Sequence, residues 1–188
     1  MDEEQPLMFD LTQLECCGED VRISDNVKIK LPQHLRIGNH CAIESGFVCT
    51  TRFSMGDYSH VSYYVTCIGG ARGVLTAGHF FNASAGCRII CVTSLENGGG
   101  LVGPIVPSEY RDGADNRPIS VGNFVTLGTD AIIMPGVNIG DGVVIGANSL
   151  VRHDCEPWTI YVGSPAKPIK KYNGDNMRKL ARELGYNL

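Results

Sequence analysis

Apolar residues recur at every sixth position along most of this chain. Val121, Leu127, Ile133, Ile139, Ile145 and Val151 form one unbroken run, and Ile37, Ile43, Cys49, Met55, Val61 and Cys67 form another upstream. In the downstream run the next position holds Gly122, Gly128, Met134, Gly140, Gly146 and Arg152. Four positions on stand Val125, Ala131, Val137, Val143, Ser149 and Cys155. The motif is therefore aliphatic-Gly-x-x-small-x. A period of six is too long for a helix or for simple strand alternation, and it fits a short strand followed by a turn. Three such units make a triangular coil of about 18 residues, with aliphatic side chains pointing inward and stacking at the ordinary strand spacing of about 4.8 Å. The small residue fits the corner, and glycine serves where a positive φ or a close backbone approach is needed.

The register has two outliers and two breaks. Val21 and Val27 precede the upstream run in a different phase, and Ala77, Ala83 and Ile89 follow it in a shifted one. The shift falls in IGGARGVLTAGH, which reads as an insertion. Together the hexads predict about five coils, with one or two more from the N-terminal stretch. Residues 95–118 are rich in Gly, Pro and charge and read as an excursion loop, the kind of long loop that often carries function. Residues 174–187 read as a helix with Met177, Leu180 and Leu184 on one face, expected to cap the open end of the coils. The domain division is 1–172 for the β-helix and 173–188 for the capping helix.

Composition narrows the class. The 188 residues carry a net charge of −4, so nothing points to nucleic acid as a partner. There is no apolar run long enough for a membrane span, so no membrane insertion is expected. The acidic N-terminus lacks the basic and apolar regions of a signal peptide, so a cytoplasmic protein is expected. The eight cysteines form no C-x-x-C pair and read as reduced small hydrophobes, with no metal site expected.

GNFVTLGTDAIIMPGVNIGDGVVIGANSLV, followed by EPWTIYVGSPAKPIKK, resembles the C-terminal half of the hexapeptide-repeat acyltransferases. With PIVPSEYR in the loop and the His60-Val61 pair, the resemblance is to bacterial surface-polysaccharide sugar O- or N-acetyltransferases, over roughly residues 37–172. It implies an all-β, left-handed parallel β-helix and a homotrimer with active sites between subunits. It also implies acetyl-CoA as co-substrate and a sugar or nucleotide-linked sugar as acceptor, through a hydroxyl or an amine.

Acetyl transfer by direct attack needs a base for the acceptor, donors for the oxyanion and a groove for the cofactor. His60 is the first candidate base, since it matches the histidine such enzymes carry in a comparable context. His79 follows about one coil later and reads as its stacked neighbour and a supporting catalytic group. Galactoside and maltose acetyltransferases carry a histidine before the long loop. Here IICVTSLENGGG has none; Ser94-Leu95 replaces the paired aspartates of closer relatives, and Glu96 is the nearest carboxylate. For the cofactor, Gly128, Thr129 and Ala147 expose backbone in successive coils. The resemblance adds Gly163 at the final bend, Lys167 and Lys170 on the phosphates, and Arg152 where relatives have a Thr-Lys pair. Two other readings compete: a non-catalytic β-helix scaffold, and a zinc hydrolyase of the γ-carbonic anhydrase type, which needs three histidines around a metal.

Overall fold

In the computed structural model, which describes residues 8–95 and 97–188, the hexads close into triangular coils. About seven coils build a left-handed parallel β-helix. Coil 3 shows the plan: Arg52–Met55 lies in the first sheet, His60–Val61 in the second and Thr66–Ile68 in the third. The two six-residue runs are the inward columns. In the second sheet, for instance, Ile43, Val61, Ala83, Leu127 and Ile145 stack in register and are all at most 2% exposed.

The register shift has a simple cause. Ala77, Ala83 and Ile89 pair with Met55, Val61 and Cys67, so they continue the same columns. The coil is 22 residues long there instead of 18, because Gly69–Gly73 bulges out around a 3-10 turn at Gly70–Arg72. Val21 and Val27 are corner residues; in the first coil the inward strand positions belong to Cys17, Ile23 and Ile29.

The two requirements suggested for glycine fall on different positions. The glycine after each inward residue serves close approach: a Cβ on Gly122 would lie 2.8 Å from the Asp141 backbone nitrogen in the next coil. Positive φ falls two residues later and is borne mostly by side chains, including His40, Tyr58, Phe80, Phe124 and Trp158. These five form a ladder along the corner between the first and second sheets. Their rings follow one another at 4.7, 5.6, 5.0 and 5.8 Å. A left-handed residue costs about 1–2 kcal/mol, and an aromatic contact returns about 0.5–1.5 kcal/mol beyond burial. Stacking therefore offsets much of the strain of using aromatics there.

The helix α1, Asp175–Glu183, does not cap the open end as expected. A hairpin of Thr159–Val162 and Lys167–Lys171 closes the second sheet instead. The helix lies along the aromatic corner, with Arg178 4.4 Å over the Trp158 ring, Ala181 buried and Tyr186 edge-on to Tyr58 and Phe80. The ladder offers it ring faces that the end of the coil lacks. Met177, Leu180 and Leu184 consequently stay 37–54% exposed. Among the described residues, no helix is long and apolar enough to cross a membrane.

Six cysteines are buried and free. Burial pushes the Cys49 thiol up to about 12 and those of Cys87 and Cys91 to about 11, so they serve as protonated, small apolar groups.

Candidate functional site

The corner between the second and third sheets carries a continuous strip of half-buried glycine and polar residues. Glu44, Ser62, Ser84, Gly128 and Gly146 follow one another up it, each N–H donating to the strand above at 2.7–2.9 Å. Gly128 allows the closest step, since a Cβ there would lie 2.6 Å from the Ala147 nitrogen. Thr129 and Ala147 flank the glycines, and the Thr129 carbonyl accepts from Asn148 N–H. Gly163, at φ +100°, ends the strip; its N–H donates to Ser149 Oγ at 3.0 Å and its carbonyl accepts from Leu150. Gly128, Thr129, Ala147 and Gly163 are thus brought together.

His60 stands at the lower end of this strip. It points outward from the second sheet, between Ala42 and Asn82, with Thr126 two coils above, or about 10 Å at strand spacing. Its side chain is 45% exposed, and Nε2 lies 3.4 Å from Glu44 Oε1. A proton on Nε2 facing that carboxylate leaves the Nδ1 lone pair free, the arrangement a general base needs.

His79 is not stacked on His60. The 22-residue coil puts Asn82 above His60 and aligns His79 with Asp57. There it is one rung of a ladder in which side chains accept backbone N–H groups from the coil below. Asn39 accepts from Glu19, Asp57 from Asn39, His79 Nδ1 from Asp57 at 3.0 Å, Asn123 from His79, and Asp141 from Asn123. With Nδ1 occupied as an acceptor, the neutral ring carries its proton on Nε2 and has no free lone pair to act as a base. The Tyr186 ring also covers it at 5.0 Å. The structure thus places His79 in this ladder of backbone acceptors, with Asn82 in the position above His60.

Lys167 and Lys170 lie on the exposed closing strand, paired with Val162 and Ile160 beside the strip. Arg152 does not join them. It stands at the other edge of the third sheet, lining a cavity with Asp115, Arg117, Met134 and Leu150. The excursion leaves from that same edge. It begins before residue 95, because Thr93–Ser94 pairs antiparallel with Ala114–Asp115 as a neck. Glu96 lies outside the described residues. Sequence reading missed Glu44, Ser62, Asn82 and Ser84; counting the insertion as part of one coil would have aligned all four with His60 or Gly128.

The chain matches the family model for the bacterial transferase hexapeptide (six repeats) over residues 118–153. It is 34% identical over 161 residues to a dTDP-4-amino-4,6-dideoxy-D-glucose acyltransferase of Escherichia coli, covering 82% of this chain and 80% of that one. A chloramphenicol acetyltransferase of Morganella morganii matches locally, at 51% over 65 residues, 35% of this chain and 31% of that one. Among solved structures, AntD, an N-acyltransferase from Bacillus cereus in complex with dTDP and 3-hydroxybutyryl-CoA, superimposes with a TM-score of 0.88 at 27% identity, covering 96% of this chain and 98% of that one.

Proposed function

This chain belongs to the hexapeptide-repeat sugar acyltransferases, and from that premise we propose that it moves an acetyl group from acetyl-CoA to the amine of a dTDP-linked 4-amino sugar, with His60 as general base. The observation that carries the reading is the unbroken strip from Gly163 down to His60 and Glu44. The pantetheine lies along the backbone of Gly128, Thr129 and Ala147, where no side chain blocks it. Lys167 and Lys170 attract the nucleotide phosphates. The thioester then arrives near Ser84 and Asn82, one coil above His60.

In the reaction the acceptor nitrogen attacks the thioester carbonyl. The C–N bond forms, the nitrogen's proton passes to His60, the C–S bond breaks to release the coenzyme A thiolate, and the His60 imidazolium returns the proton to that sulfur, so coenzyme A leaves as the thiol. The Glu44 carboxylate stabilises the resulting imidazolium. The enzyme works as a cytoplasmic homotrimer, a reading supported by the exposed Leu101, Val102, Ile105 and Tyr110 on the excursion, apolar surface that a neighbouring subunit would cover.

The zinc-hydrolyase reading lacks support: His79 is committed to a backbone N–H, and no cluster of three His, Cys, Asp or Glu side chains among the described residues is placed for a metal.

The test is thiol release from acetyl-CoA and from 3-hydroxybutyryl-CoA, with dTDP-4-amino-4,6-dideoxyglucose as acceptor. His60→Ala should lower kcat by about 10²-fold or more while coenzyme A affinity stays constant. Normal turnover by that variant removes His60 from the mechanism. Turnover with the longer acyl donor alone overturns the acetyl assignment.

A further inference from the structure

Two departures from the hexapeptide register converge at one place. The insertion Gly69–Gly73 and the neck and tip of the excursion both leave the corner between the third and first sheets, in successive coils. Between them lies a cavity of about 190 Å³, lined by Arg72 from the insertion, Thr93 and Ser94 from the neck, and Gly103, Arg111 and Asp112 from the excursion.

The charges around this cavity are unbalanced. Neither Arg72 nor Arg111 forms an ion pair among the described residues. The one carboxylate that lines it among the described residues, Asp112, is already engaged: Oδ2 accepts from Asn97 N–H at 3.0 Å and Oδ1 from Gly113 N–H at 2.8 Å. Two guanidinium groups without a carboxylate partner among the described residues, with Thr93 and Ser94 lining the same cavity, make a donor-rich site for an oxyanion. Planar guanidinium forks match phosphate oxygens in pairs. Size narrows the ligand further. Pockets that enclose a drug-sized molecule run to about 300–1,000 Å³, and this smaller, open cavity accommodates a diphosphate.

We infer that Arg72 and Arg111 bind the diphosphate of the nucleotide-linked acceptor, an assignment that rests on the proposed acceptor class. It gives the otherwise unexplained insertion a purpose: without it, Arg72 would have no place opposite the excursion. The diphosphate then sits at the opposite edge of the third sheet from its own protomer's glycine strip, so in the proposed homotrimer the amine it carries serves the strip of a neighbouring protomer, and the two substrates do not compete for the same cations.

Titration of the intact protein with dTDP, and separately with coenzyme A, tests this. Arg72→Ala and Arg111→Ala should each weaken dTDP about tenfold, and together about a hundredfold, since each removes charge-assisted hydrogen bonds. Coenzyme A affinity should not change in either variant, which also reports that the fold is intact. Inorganic pyrophosphate should compete with dTDP on the wild type and fail to do so on the double variant. If the wild type binds dTDP and the double variant binds it equally well, this site is wrong and the acceptor class stands. If the wild type binds coenzyme A but not dTDP, with coenzyme A bound or absent, the acceptor class is wrong and this assignment falls with it.

Discussion

At the scale of single residues, two histidines of similar appearance in sequence part ways. His60 is free on one nitrogen and held by Glu44 on the other; His79 gives its lone pair to a backbone N–H. The difference is measurable. His79→Asn keeps a side-chain acceptor of the kind Asn39 and Asn123 supply in neighbouring rungs, so stability and turnover should stay near wild type. His79→Ala should cost about 1 kcal/mol in denaturant unfolding, from one unsatisfied backbone donor, while kcat stays within about twofold. A large fall in kcat for His79→Asn at unchanged stability would return His79 to the mechanism. The position after an inward residue shows what was legible at this scale. Glycine there was readable as a demand of the coil, but whether positive φ or close approach demanded it was not. Only the stacked coils show that Gly128 stands under the Ala147 nitrogen while αL falls on Phe80 or Phe124.

At the scale of elements, the C-terminal segment is a strap along the wall. It is tied at its far end by Tyr186, whose hydroxyl donates to Asp57 Oδ2 at 2.6 Å. Burial alone would raise the Asp57 carboxyl, but hydrogen bonds from Tyr186 and Asn39 outweigh it and hold it below the ordinary value. The same bond pushes the Tyr186 phenol up to about 12. A raised pKa means that this tie is fully present below the ordinary tyrosine value of about 10 and is lost as pH rises through about 12. For Asp57 the sign is opposite: its contribution is present above the usual carboxylate range and disappears as pH falls through the depressed value. Limited proteolysis should therefore release the C-terminal segment at both extremes and leave it protected between them. Tyr186→Phe should expose it at neutral pH, at a cost of about 1 kcal/mol, the low end for a partly exposed bond to a charged group. Protection of the variant equal to wild type would show that α1 alone holds the strap. The helix itself was legible from its periodicity. Its docking was not, because Met177, Leu180 and Leu184 mark an apolar face without saying what meets it, and the contacts that hold the segment come from Arg178, Ala181 and Tyr186.

At the scale of the whole molecule, the coil is a scaffold with three different corners. One carries aromatic rings and the strap, one the glycine strip, and one the insertion and the excursion. The basic end of the strip supports a prediction of its own: Lys167→Ala with Lys170→Ala should weaken coenzyme A by about tenfold at low salt and much less at high salt, as expected of exposed charges screened over a Debye length. Equal affinity at low salt would remove the lysines from the phosphate site. By itself the sequence determined the coil, its inward columns and its family, because a six-residue period admits one way of burying its aliphatic side chains and repeats that demand in every coil. Tertiary structure alone decided which residues share a corner. Corner neighbours lie a full coil apart in sequence, and an insertion of a few residues moves His79 away from His60 and Asn82 into its place. It also brought Arg72 opposite Arg111, since both lie on segments that leave the repeat and so carry no periodic signal of where they meet.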